Sequence, residues 1–164
     1  MRIAIAVLSA CVTTQPALAQ QTVKALTLEG YLKDDYAMMR DFGRCSALME
    51  HTAKFLEKNG KPANAEEMRG YARGARVVAD LATTLKEALT MKDDASEAEL
   101  RDSQKRIATK SASLSSIIEL ETVRQRAFAE RGELDTDMLT FCVQLNPVQK
   151  TIIEGLRRDG FFGQ

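Results

Sequence analysis

The chain has 164 residues, 45% apolar and 28% charged, with 23 basic and 23 acidic side chains. That length suits one domain with a core of its own, and the composition excludes wholesale disorder. Balanced charge leaves no field to steer the protein to nucleic acid or an anionic membrane. Three prolines, no tryptophan and many Ala, Leu, Glu, Lys and Arg point to helix.

The N-terminus reads as an export signal. Arg2 supplies one positive charge, Ile3 to Val12 an apolar stretch, and Ala17-Leu18-Ala19 a small-x-small end. An apolar stretch of about ten residues is too short to anchor a chain across a bilayer, whereas it fits a cleavable secretory signal. Residues 1–19 are therefore read as the signal, 20–26 as a loose lead-in and 27–164 as the domain. The implied location is a bacterial periplasm or the exterior. Removing residues 1–19 takes out only Arg2 among the charges, leaving 22 basic against 23 acidic. An alternative takes Leu8-Ser9-Ala10-Cys11 as a lipobox-like sequence, with Cys11 as a lipid-anchored first residue. The apolar run before Cys11 is short for that reading.

Export decides what the cysteines mean. With Cys11 removed, Cys45 and Cys142 remain, and in an oxidising compartment two cysteines imply one intramolecular disulfide. Closing a loop of about 100 residues stabilises by on the order of 4–5 kcal/mol in the chain-entropy account.

From Thr27, a capping residue, a helical pattern runs to about Lys58. Tyr31, Met38, Phe42, Leu48, Met49, Thr52, Phe55 and Leu56 lie within about 80° of Cys45 on a helical projection. Gly43, Ala47, Glu50 and Lys54 fall on the far side. Asp34 and Asp41 interrupt the stripe. Asp41 stands one turn before Cys45 and faces inward, so it needs a charged or donor partner. The expected partner is an arginine from another helix, or else a bend frees the carboxylate. Asn59-Gly60-Lys61-Pro62 stops this helix.

Asn64, with Glu67 three residues on, is expected to open a second helix running to about Thr90. Its inner face holds Met68, Tyr71, Ala72, Ala75, Val78, Ala79, Ala82, Leu85 and Leu89, mostly alanine at the centre, so a neighbour can approach closely. Arg69, Arg73 and Arg76 lie opposite. They form either a basic stripe for a partner or a solvated face balanced by Glu66 and Asp80.

Ser96 and Glu99 form a capping box for a third helical run reaching Arg131 or Gly132. Leu100, Ile107, Leu114, Ile117, Ile118 and Phe128 share a side with Ser103, Lys110, Glu121 and Gln125. A helix of about 35 residues is some 50 Å long at 1.5 Å per residue, more than a compact bundle of this size needs. Such a run either bends at the serine-rich stretch Ser111–Ser116 or projects to meet a partner. Asp135 or Thr136 caps the last segment, with Met138, Leu139, Cys142 and Leu145 on one face. Ile153 and Leu156 continue that face beyond Pro147, so the proline kinks one helix rather than separating two. Phe161-Phe162-Gly163-Gln164 is a short apolar tail.

The sequence contains no Cys-x-x-Cys-His, His-x-x-x-His, glycine-rich phosphate loop or Gly-x-Ser-x-Gly. A single histidine, His51, at the edge of the first stripe, rules out any triad with a second histidine or a polyhistidine metal site. No cofactor is expected.

These readings converge on an all-α, single-domain bundle of four to five helices, up-and-down or slightly irregular, closed by Cys45–Cys142. The expected function is non-catalytic: binding another protein, or a second copy as a homodimer, in an inhibitor, immunity or chaperone-like role. Two alternatives are a carrier with a ligand pocket inside the bundle, and an enzyme built on inward carboxylates such as Asp41 and Glu121.

Overall fold

A computed structural model describes residues 27–160. The signal peptide, the Cys11 alternative, the lead-in up to residue 26 and the tail Phe161–Gln164 lie outside the described residues.

Helix α1 (Leu28–Lys33) is capped by Thr27, whose hydroxyl accepts from the Gly30 N–H at 3.1 Å. The pattern expected to form one helix from Thr27 to Lys58 forms two. Asp34 leaves helical geometry (φ −133°, ψ 83°), and its carboxylate accepts from the Ala37 N–H at 2.9 Å, capping α2 (Asp35–Lys58). A short acidic side chain competes for its own backbone donors, and here that competition outweighs the continuing apolar stripe. Gly60, in the left-handed region at φ 70°, turns the chain after α2.

Helix α3 (Pro62–Thr90) begins two residues before the expected cap. Pro62 occupies the first turn, where its fixed φ suits the helix and its missing N–H leaves nothing unpaired. Pro62 therefore starts this helix, and Asn64 lies within it.

Helix α4 (Glu97–Glu130) opens with the expected capping box, the Ser96 N–H donating to Glu99 Oε2 at 2.7 Å. It runs for 34 residues without interruption, about 51 Å. The serines do not break it, because Ser113, Ser115 and Ser116 donate to the carbonyls of Thr109, Ser111 and Ala112 at 3.0–3.2 Å. Each hydroxyl is thus satisfied inside the helix rather than against it. Helix α5 (Thr136–Arg158), capped by Asp135, carries Pro147 within a single helix.

The long helices run up and down. α2 and α3 form the central pair and pack most extensively. α4 lies against both on one side and α5 against both on the other, while α4 and α5 do not pack on each other. In cross-section this is a lozenge with α2 and α3 on its short diagonal. Helix α1 folds over α2 and α5.

Packing explains the pairing. Ala72, Ala75, Ala79 and Ala82 are all buried and bring α3 close to α2. Phe42, Met38, Met39, Leu48, Met49, Val78, Leu114 and Leu145 fill the interior. Cys45 and Cys142 form the disulfide, joining α2 to α5 across 97 positions with Cα atoms 5.4 Å apart.

The far side of α2 is also buried. Gly43 and Ala47 face α4, and a Cβ at Gly43 would lie 2.7 Å from Leu114 Cδ1. Small residues one turn apart let α4 seat directly on the α2 backbone, so α2 is covered on two sides. Two expected inner residues stand outside: Leu89 is 73% exposed and Leu100 43%. Both sit near helix ends, beyond the reach of the neighbours that cover the middle. No described helix is long and apolar enough to cross a membrane.

Candidate functional site

The chemistry-bearing side chains of the interior are carboxylates. Asp41, Glu87, Glu121 and Asp135 are each 7% exposed or less. Asp41 accepts from Tyr31 Oη at 3.0 Å and from Arg40 Nε at 2.8 Å. Its partners are thus a phenol delivered by α1 and the arginine beside it on α2, where an arginine from another helix was expected. The break at Asp34 makes this possible, since it folds Tyr31 back onto α2, edge-on to Phe42 at 5.5 Å between ring centroids. Burial, reinforced by the Asp41 charge, pushes the Tyr31 hydroxyl well above the ordinary range of a phenol, so it serves as a donor.

Glu121, on α4, accepts from Arg44 Nε of α2 at 2.9 Å and from Gln125 Nε2 at 2.7 Å. Gln125 is fully buried, and its carbonyl oxygen has no partner among the described residues. Glu87 receives a two-pronged contact from Arg106, with Nε at 3.1 Å and Nη2 at 2.8 Å from Oε2. Those hydrogen bonds hold the Glu87 carboxyl below the usual carboxylate range against the opposing effect of burial. Lys110 joins α4 to Asp35 of α2 at 2.6 Å. Asp135 Oδ2 lies 2.8 Å from Arg124 Nη2, close enough for an ion pair but misaligned for a hydrogen bond.

These groups do not converge on a shared space. Asp41 lies under α1, Glu87 of α3 meets α4 at Arg106 in its first half, and Glu121 lies on α4 itself, farther along, against Arg44 of α2. Each is held by an arginine, which suits them to fixing helix register. Their placement follows from α4: Arg44–Glu121, Arg106–Glu87 and Lys110–Asp35 all pin it to the α2–α3 pair. No known protein family, curated protein or solved structure matches this chain.

The three arginines read as a basic stripe are each paired. Arg69 contacts Glu57, Arg73 Nη2 donates to Glu66 at 2.9 Å, and Arg76 Nε meets Asp80 at 3.0 Å. His51 is half-buried, and burial together with Lys54, Lys58 and Arg126 lowers its pKa below 6.5.

The outer face of α4 is different in kind. Thr109, Ala112, Ser116, Leu120, Val123 and Ala127 repeat at helical spacing, all exposed and all uncharged. Leu120 is 71% exposed and Val123 56%. Sequence reasoning singled out the length of this run but assigned no role to the face opposite its core side. The available signal was the absence of charge at those six positions in a helix otherwise rich in it.

Proposed function

We propose that this is an exported, non-catalytic helical protein that binds another protein through the outer face of α4. The observation that carries this reading is the uncharged stripe from Thr109 to Ala127, with Leu120 and Val123 standing 71% and 56% exposed. A solvated helix normally turns charge to water, and exposed apolar side chains grouped on one face mark an interaction surface. The stripe also sits on a rigid platform, since ion pairs to α2 and α3 hold α4 along its length. A helix fixed in this way presents its face with little ordering entropy left to lose on binding.

Leu120→Lys with Val123→Lys tests the reading. The expected result is loss of a complex that the unmodified protein forms in extract of its own host, with helicity and melting temperature unchanged. Retention of the complex by the double variant would contradict it.

A further inference from the structure

A groove opens between α3 and α5, far from the outer face of α4. Its volume is about 480 Å³, within the range of small-molecule sites. The α3 wall is Gly70, Arg73, Gly74 and Val77; the α5 wall is Gln149, Ile153 and Arg157. Four features bear on what fits it.

The first is bare backbone at Gly70, where an added Cβ would meet nothing within 4 Å, whereas Gly74 one turn on is covered by Gln149 and Ile153. The second is Gln149, 8% exposed, whose amide donates to the Tyr71 carbonyl at 3.4 Å while its carbonyl oxygen accepts nothing among the described residues. The third is charge. Arg157 has no carboxylate within ion-pair reach among the described residues. Arg73 holds only an exposed contact to Glu66, and solvent-screened contacts of that kind are weak. The fourth is the apolar surface that Val77 and Ile153 add to the same lining.

We propose that this groove binds a small monocarboxylate with an apolar body, such as a medium-chain fatty acid. The planar fork of Arg157, assisted by Arg73, matches a carboxylate in two-pronged geometry. The chain lies on Val77 and Ile153 over the uncovered Gly70 backbone. Gln149 marks the polar floor, its free carbonyl oxygen accepting from a ligand hydroxyl or an ordered water. This site is separate from the α4 face, so either assignment can fail without the other.

Calorimetric titration of the disulfide-intact protein with decanoate tests the assignment, with decanol and acetate as probes for the body and the head alone. Saturable one-to-one binding of decanoate is expected, at least 10-fold tighter than either partial probe. Arg157→Gln should weaken it at least 10-fold. Gly70→Leu fills the groove from a position with free space around it, and should abolish binding while raising the melting temperature, because a helix-interior glycine is replaced. Absence of saturable decanoate binding would overturn the proposal. So would equal binding of decanol, or undiminished affinity in Gly70→Leu or Arg157→Gln.

Discussion

Arg44→Ala isolates what holds α4 to the bundle. Glu121 is 4% exposed and depends on two donors, Arg44 Nε at 2.9 Å and Gln125 Nε2 at 2.7 Å, with Arg124 Nη1 farther off at 4.0 Å. Truncating Arg44 leaves a buried carboxylate with one neutral donor. Removing one partner of a buried pair costs about 3–5 kcal/mol. Arg44 is itself 31% exposed, so water recovers part of that loss, and the expected destabilisation is about 2–3 kcal/mol. For a domain of this size that corresponds to roughly 8–12 °C in melting temperature. Glu121→Gln keeps the shape and an acceptor for Arg44, and is expected to cost about 1 kcal/mol. The double variant should cost less than the sum, because once the carboxylate is gone the arginine has little left to pair with. Urea unfolding followed by circular dichroism at neutral pH, with the disulfide intact, gives all three values. An Arg44→Ala variant within about 0.5 kcal/mol of the parent, or a strictly additive double variant, would refute the pinning role.

Replacing Cys45 and Cys142 by alanine should lower stability by about 4–5 kcal/mol, given the 97-position separation, as read by urea unfolding beside the oxidised parent. His51, whose folded pKa lies below 6.5, should contribute no penalty above pH 6.5 and an increasing one as the pH falls from there towards its folded pKa, since the unfolded chain takes up the proton first. Its imidazole resonances should titrate below 6.5, and His51→Gln should flatten that part of the stability profile. Two glycines on one helix should respond oppositely to alanine. Gly74→Ala places a Cβ 2.2 Å from Gln149 Nε2 and should cost about 1–2 kcal/mol, whereas Gly70→Ala meets nothing and should stabilise by about 0.5–1 kcal/mol in thermal melts.

Much of the architecture was legible because the signals were local. The Ser96–Glu99 box, the Asp135 cap and Gly60 each act within one turn, and the disulfide followed from counting cysteines. The alanine centre of α3 announced its close neighbour. What failed did so where tertiary placement decides. Gly43 and Ala47 lay opposite the apolar stripe and looked outward, yet their small size is what admits α4. Glu87 is buried for the same reason, since α4 covers a side of α3 that carries no apolar pattern. The partner of Asp41 was misread because the apolar stripe passes through Asp34 while the helix does not. The groove between α3 and α5 was invisible in one dimension, its walls being drawn from residues about 80 positions apart.

Site-specific photocrosslinking tests the central claim most directly. A photoreactive residue replaces Leu120 in the protein produced in its own host, with Lys150, exposed on α5, as the control position. One discrete crosslinked partner at 120, absent at 150 and absent when Val123 is changed to Lys, is the predicted result. No product at 120, or the same products at both positions, would contradict the assignment of the α4 face as the binding surface.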